Sequence, residues 1–246
     1  MFKKPVLLVI AHGSRDPRHA ATVHALVRLV RSLRPDVRVE TGFLDFNIPS
    51  VQGVLESLAA EGVRDVVALP LLLTRAFHAK ADIPAVLRDA PPQLRIRQAE
   101  VLGPSPLLLS ALERRLYEAG LTPADKSSTG VVLASAGSSD PEANAVIAAI
   151  AREWRHTGWC AVRPAFASAS LPRTEDAVRE LRELGCERVA VAPYVLAPGF
   201  LPDRIARGAA AADVLADVLG AAPEVARVLV ERYEAARVPV LAAVGA

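Results

Sequence analysis

The chain has 246 residues, of which 52% are hydrophobic and 23% are charged, so it can bury two ordinary cores and is not disordered. Its formal net charge of +2 is too small to argue for nucleic acid or a membrane surface as a partner. Aromatic residues make up only 4% of the chain, which disfavours a surface on which nucleic-acid bases stack.

The first half alternates apolar runs with helical patterns. The apolar run Val6–Ala11 is typical of a strand buried on both faces of a parallel sheet. An N-cap residue and a proline, Asp16 and Pro17, begin a helix that runs to about Leu33 and is stopped by Pro35. The further predicted elements are strand 37–44, helix 49–62, strand 66–73, helix 82–87, strand 94–101 and helix 106–119.

The second half repeats this order after a polar segment, residues 120–128, that we interpret as a linker. Its predicted elements are strand 131–135, helix 141–154, strand 161–166, helix 172–184, strand 189–196, helix 203–212, strand 214–218 and helix 223–236. The pattern predicts an α/β fold with two tandem domains, residues 1–122 and 129–246. Each is expected to be a small doubly wound, four-stranded parallel sheet with helices on both faces.

The two halves differ where the first carries histidine. His12–Pro17 (HGSRDP) corresponds to Ala136–Pro141 (AGSSDP), and His78 corresponds to Leu201. The glycines, prolines and aspartates that direct folding recur in the second copy, whereas both histidines are replaced by apolar residues. This difference predicts one working site in the first half and a second half that supports it.

Three polar residues follow strands of the first half, where doubly wound sheets bind their ligands. His12 follows the first strand, Asp45 ends the second, and His78 lies in the loop after the third. Because neutral imidazole binds borderline metals and titrates near neutrality, His12 and His78 are candidate catalytic and metal-binding residues, with Asp45 as a third candidate ligand. Each has a structural alternative, since loop histidines often only hydrogen-bond and the Asp45 carboxylate can cap the next turn.

The remaining histidines offer no second pair of ligands. His19 and His24 are five residues apart on one predicted helix, so they face different directions and cannot chelate a metal together. His156 follows a helix of the second half and is expected at the surface.

Basic residues surround the edge that carries the candidate histidines. The turn at Ser14 presents backbone N–H groups at a helix N-terminus, which favours anions. Arg15, Arg75 and Lys80 lie near it, as does Arg18. They either form a solvated basic edge or bind carboxylates through charge-assisted hydrogen bonds. On the second hypothesis Ser14, Arg15, Arg75 and Lys80 bind the substrate.

The cysteines and the apolar runs bear on location. Cys160 and Cys186 share no metal-ligand spacing, which favours a reduced cytosolic compartment. The apolar run near the first residue is too short for a signal peptide and lacks a cleavage site. No stretch reaches the roughly 18 uninterrupted apolar residues of a membrane span. We therefore expect a soluble, cytoplasmic protein, and a monomer with pseudo-twofold symmetry.

The motifs of the first half resemble those of the sirohydrochlorin chelatases, which are class II chelatases of the CbiX/SirB type. They are Ala-His-Gly-Ser-Arg after the first strand, Phe-Leu-Asp at the second, and Pro-Leu-Leu-Leu-Thr followed by Phe-His-Ala-Lys-Ala-Asp-Ile-Pro at the third. His-Gly-Ser alone is a weak signal, whereas His-x-x-x-Asp-Ile-Pro behind an apolar strand is specific. The resemblance covers the whole chain, because long members of that family are two-domain duplications.

The resemblance implies insertion of Fe²⁺ or Co²⁺ into a sirohydrochlorin-type tetrapyrrole without ATP, for siroheme or cobalamin biosynthesis. The metal is then a substrate, and no tightly bound cofactor is expected. His12 and His78 would hold the metal or accept the pyrrole protons, and Asp45 stands where the family usually has glutamate. Some members carry a further histidine where this chain has Ala81; others carry a histidine-rich tail or a cysteine cluster, neither of which this chain has.

The same resemblance places the tetrapyrrole in the cleft between the halves. The second half would supply a wall near Ala136, residues 198–201 and Arg204. Two other functions remain open: a non-catalytic carrier of metal or tetrapyrrole, and phosphoryl transfer of the phosphoglycerate-mutase type. The latter is disfavoured because it needs Arg-His-Gly, and Ala11 precedes His12 here.

Overall fold

A computed structural model describes residues 4–75 and 78–237 of the chain. Two four-stranded parallel sheets form, with strand orders β2-β1-β3-β4 and β6-β5-β7-β8. The strands are β1 (Val6–Ala11), β2 (Val39–Phe43), β3 (Asp65–Pro70), β4 (Arg95–Gln98), β5 (Thr129–Ser135), β6 (Ala161–Phe166), β7 (Arg188–Tyr194) and β8 (Val214–Leu215). The predicted fold class, two tandem doubly wound α/β units, is therefore confirmed.

Helices follow the strands in both halves. They are α1 (Pro17–Leu33), α2 (Val51–Ala60), α3 (Ile83–Arg88), α4 (Pro106–Glu118), α5 (Pro141–Arg155), α6 (Thr174–Glu183), α7 (Phe200–Gly208) and α8 (Pro223–Arg237). The predicted cap of α1 forms, since the Asp16 carboxylate accepts from the Arg18 N–H, and the Asp140 carboxylate caps α5 in the same way by accepting from the Glu142 N–H. In the part of the chain that the structure describes, no helix combines the length and apolar character needed to cross a membrane.

Several predicted boundaries were wrong. The third strand ends at Pro70, and β8 has only two residues, because their apolar continuations pack as loops at the sheet edge. A single π-helical turn, His78–Asp82, precedes α3, so helical structure begins earlier there than the sequence pattern indicates. The segment interpreted as a linker contains a 3₁₀ turn, Pro123–Ser128.

Both halves share one hydrophobic core. It includes alternate residues of β1 and β3 from the first sheet and of β5 and β7 from the second, so the two sheets bury facing surfaces. Helix α8 of the second half packs against α1, α4 and β3 of the first, while α4 packs against β7. The last helix of each half thus covers the sheet of the other half, and the core is continuous across the repeat.

Polar contacts accompany this exchange of helices. The Tyr233 hydroxyl on α8 donates to the carbonyl of Pro5 at 2.8 Å. The Arg114 guanidinium on α4 donates to both carboxylate oxygens of Glu224, each at 3.0 Å. The first contact joins α8 to the segment before β1, and the second joins α4 to α8, so both hold α8 against the first half.

Candidate functional site

A tight turn places His12 at the carboxyl edge of the first sheet. Gly13 adopts φ +95°, and a Cβ atom there would overlap the carbonyl oxygen of Asp45. The Asp45 N–H donates to the His12 carbonyl at 2.9 Å, and the Ser14 N–H donates to the Asn47 side chain at 2.8 Å. Only glycine fits this close approach, so the turn joins the ends of β1 and β2 in a fixed arrangement.

His12 is half-buried and lies at the mouth of a cleft between the halves. Its Nδ1 atom is 3.2 Å from the carbonyl oxygen of Gly13, and its ring centroid is 6.3 Å from that of Phe46. The cleft has a volume of about 460 Å³. The carboxyl edges of both sheets line it, through His12, residues 71–74, residues 135–138, Ala143, Asn144, Ile147, residues 194–196 and Leu201.

The second half forms a wall of this cleft, as predicted. Ala136 and Leu201, the counterparts of the two candidate histidines, both line it. Pro198 and Arg204, which were also predicted at the wall, are not among its described lining residues. Where the first half carries the two candidate histidines, the second half therefore presents alanine and leucine, and most of its other side chains at the cleft are small or apolar.

The other two candidate ligands are Asp45 and His78. Asp45 is exposed, and its Oδ1 atom accepts from the Phe46 N–H at 2.8 Å, so its carboxylate caps the local turn. His78 begins the π-helical turn His78–Asp82, but its side chain lies outside the described residues. Among the residues whose side chains are described, no group of three or more His, Cys, Asp or Glu is placed to hold a metal ion.

Two of the basic candidates remain oriented towards solvent. Arg15 is exposed and lies over the Phe46 ring, with its guanidinium carbon 5.2 Å from the ring centroid. Arg75 makes a long ion pair, 3.7 Å, with Glu100, and both side chains are largely exposed. Such exposed contacts are weak, so both guanidinium groups can turn to an arriving anion.

The other basic residues join the two halves. The Lys80 ammonium contacts the carboxylates of Asp140 at 2.8 Å and Glu142 at 2.9 Å, at the start of α5. The hydrogen bond to Asp140 is the main cause that raises the pKa of Lys80, and Lys80 in turn lowers the pKa of the Asp140 carboxyl. Arg18 bridges in the same way to Asp203, at 3.2 Å. Lys80, predicted to bind substrate, is thus already paired with carboxylates of its own chain.

The Ser14 side chain stabilises the turn between β1 and α1. Its hydroxyl accepts from the Asp16 N–H at 3.1 Å, and this bond closes the turn before α1. The second half repeats the contact, because the Ser138 hydroxyl accepts from the Asp140 N–H at 3.0 Å. Because the second half has alanine in place of His12, the repeated contact indicates that this serine has a structural role in both halves.

Sequence reasoning did not place three residues near the site: Ser135 and Tyr194, which it did not consider, and His19, which it considered only as a partner of His24. Burial is the main cause that lowers the pKa of His19, and the charge of the nearby His12 adds to this effect. Ser135 and Tyr194 line the cleft from the second half as buried hydroxyls. The repeat could have revealed Ser135 and Tyr194. In the second copy they occupy the positions that correspond to Ala11 and Leu71 of the first copy, where the side chains are apolar.

Comparison with known proteins identifies the family. The CbiX family model matches the chain twice, over residues 6–119 and 130–236. The chain belongs to the CbiX family. The sirohydrochlorin cobaltochelatase of Priestia megaterium is 32% identical over 211 residues, which cover 83% of this chain and 68% of that protein. The sirohydrochlorin ferrochelatase of Bacillus subtilis is 27% identical over 208 residues, covering 83% and 78%.

Solved structures agree with the CbiX assignment. SirB from Bacillus subtilis with Fe³⁺ superposes with a TM-score of 0.82 at 25% identity, covering 95% of this chain and 96% of that chain. The cobalt complex of the sirohydrochlorin chelatase SirB from Bacillus subtilis subspecies spizizenii gives a TM-score of 0.75 at 22% identity, covering 95% of each chain. At that identity the second match supports the fold alone. The resemblance to chelatases of the CbiX/SirB type is confirmed.

Proposed function

We propose that this CbiX-family protein is a chelatase that inserts Fe²⁺ or Co²⁺ into sirohydrochlorin without ATP, for siroheme or cobalamin biosynthesis. The observation that carries the proposal is the position of His12. His12 lies at the carboxyl edge of the first sheet and lines a cleft of about 460 Å³ between the two halves. The relatives that share this fold are named for metallation of sirohydrochlorin.

The proposed chemistry assigns two tasks to the histidines. Metal insertion removes two N–H protons from the macrocycle while the metal passes from protein ligands to pyrrole nitrogens. Neutral imidazoles of His12 and His78 suit both steps, because they bind borderline metals and accept protons near neutral pH. Asp45 is a proposed third ligand, since its backbone is hydrogen-bonded to that of His12. So small a ligand set leaves coordination positions open for the transfer.

The tetrapyrrole substrate carries peripheral carboxylates that need cationic partners. Arg15 and Arg75 are the proposed partners, since neither forms a close ion pair with a carboxylate of the described residues. Lys80 joins them only when it leaves Asp140 and Glu142, and Ser14 contributes through the turn that it closes. We place the reaction in the cytoplasm, in keeping with the two cysteines, which are free thiols joined by a hydrogen bond from Cys186 to the Cys160 sulfur at 3.6 Å.

The test is substitution of each histidine in the full chain. His12→Ala and His78→Ala should each lower steady-state insertion of Fe²⁺ and Co²⁺ at least about a hundredfold, on the scale of general-base contributions. His156→Ala is the matched control, because His156 is exposed at the end of α5 in the second half. Near-normal turnover in a folded His78→Ala protein would contradict the proposal. Stoichiometric binding of metal and tetrapyrrole without turnover would indicate a carrier instead.

A further inference from the structure

Two hydroxyl residues lie side by side at the carboxyl edge of the second sheet. Ser135 ends β5 and Tyr194 ends β7, and the two residues are paired in the parallel register. Paired residues of parallel strands point to the same face of a sheet. Tyr194 belongs to the core shared with the first sheet, so this face is the one turned towards the first half. Both residues are buried, with 5% and 2% of their surface exposed.

Neither hydroxyl is satisfied by the protein. Within residues 4–75 and 78–237, the Ser135 and Tyr194 hydroxyl oxygens have no hydrogen-bond partner and almost no solvent contact. The Tyr194 oxygen lies against Gly103, where a Cβ atom would overlap it. A buried hydroxyl without a partner destabilises the fold, so two together at one cleft need an explanation. Both residues line the cleft that His12 lines.

The repeat shows that these hydroxyls are particular to the second half. Strand register pairs Ile10 with Pro70 in the first sheet and Ala134 with Pro193 in the second, so the two edges correspond residue by residue. Ala11 therefore corresponds to Ser135, and the residue after Pro70, Leu71, corresponds to Tyr194.

The two differences run in opposite directions. The first half has a histidine where the second has alanine, and the second half has hydroxyls where the first has apolar side chains. The facing edges are thus chemically distinct.

We propose that Ser135 and Tyr194 form a subsite that donates hydrogen bonds to one peripheral carboxylate of the tetrapyrrole. This inference rests on the proposed function and assigns the second half a part in orienting the substrate. The macrocycle is then held with one edge at the hydroxyls of the second sheet and its centre towards His12. Because both residues line the cleft, the carboxylate that pairs with their hydroxyls enters through it.

The chemistry of the pair favours a carboxylate. Burial raises the pKa of the Tyr194 hydroxyl above its usual value, so the phenol stays protonated and donates. No Lys or Arg occurs among the described residues that line the cleft, so neutral donors are what the second half presents to an anion. Hydroxyls are poorer ligands than imidazole for iron or cobalt, which argues against a second metal site here.

Tyr194→Phe and Ser135→Ala test the subsite, with two controls. Binding of metal-free sirohydrochlorin is followed by fluorescence, and KM for the tetrapyrrole by steady-state metallation. Each variant should raise the dissociation constant for sirohydrochlorin and the KM for the tetrapyrrole about tenfold or more, which is the scale for a hydrogen bond to a charged group. The KM for the metal should stay unchanged. Thr129→Val removes an unpartnered buried hydroxyl at the opposite end of β5. Tyr233→Phe removes a partnered one, and neither control should change tetrapyrrole binding.

Stability and an altered substrate separate this role from a structural one. Tyr194→Phe and Ser135→Ala remove no partnered hydrogen bond of the described chain, so their melting temperatures should equal or exceed that of the parent protein. With the methyl ester of sirohydrochlorin, the difference in affinity between parent and variants should disappear. Unchanged affinity in both variants, or an equal loss with the ester, would overturn the subsite while leaving metallation by the parent intact. A parent protein that binds sirohydrochlorin without metallating it would overturn the proposed function, and the binding comparison would still decide the subsite.

Discussion

The exchange of terminal helices predicts that the first half cannot stand alone. A fragment of residues 1–122 keeps β1 to β4 and α4 but loses α8, which packs against α1 and β3 in the full chain. The apolar face of the first sheet that α8 and the second sheet cover would then meet water. Helix α4 would also lose β7, the strand of the second half against which it packs.

The size of the loss follows from the side chains of α8. Val225, Val228, Leu229 and Tyr233 are each at most 1% exposed. Burial of such side chains contributes about 1.5–3 kcal/mol each, or about 6–12 kcal/mol for the four. The free energy of unfolding of a typical domain is about 5–15 kcal/mol, so this loss is comparable to the whole stability of the fragment. It should therefore be unfolded, or should dimerise through the uncovered face, and should have lost most of its metallation activity.

Light scattering, circular dichroism and a metallation assay on residues 1–122 measure these outcomes. A point variant extends the test to the full chain: Leu229→Ala should lower the free energy of unfolding by about 2–5 kcal/mol. Because the core is continuous, the intact protein and this variant should each unfold in one cooperative transition by chemical denaturation. A monomeric, fully active fragment, or separate transitions for the two halves, would refute the reasoning.

Two further predictions concern charged residues. The pKa of the Glu224 carboxyl is lowered, chiefly by its hydrogen bonds from Arg114. Its contribution to stability is therefore fully present above the pKa of the unfolded state, about 4.5, and is lost as the pH falls through the lower pKa of the folded state. Denaturation between pH 3 and 6 should show this loss in the parent and not in Glu224→Gln; an equal slope in both would contradict it. Arg75→Gln should raise KM for sirohydrochlorin more than Lys80→Gln does, because Lys80 is already paired with Asp140 and Glu142; steady-state kinetics giving the reverse order would show that Lys80 is the stronger substrate contact.

The elements were predictable because local chemistry decides them. The apolar run Val6–Ala11 and the cap formed by Asp16 and Pro17 give the observed β1 and the observed start of α1. The helix exchange was not predictable in the same way. The apolar stripe of α8 indicates that one face of the helix is buried, but it does not show which sheet that face covers. Only the three-dimensional arrangement shows α8 against β3 rather than on a sheet of its own half.

The site was predictable to the extent that topology decides it. The rule that ligands bind beyond the carboxyl ends of parallel strands placed His12 at the cleft. It could not show that Asp45 caps its own turn or that Lys80 reaches Asp140, because both depend on side-chain directions. Ser135 was predicted as the last residue of an apolar strand and Tyr194 as an internal residue of another, so neither hydroxyl was considered as part of the site.

Fusion of two copies explains why the facing edges differ. In a symmetric dimer each substitution appears on both sides of the interface, so a histidine lost from one edge is lost from both. In one chain the edges are encoded separately, and Ala136 can face the cleft while His12 remains. The continuous core constrains the second half to stay folded, since its α8 covers the first sheet. On the proposed function, the cleft edge of the second half does not need metal ligands and can carry other side chains, and Ser135 and Tyr194 lie at that edge.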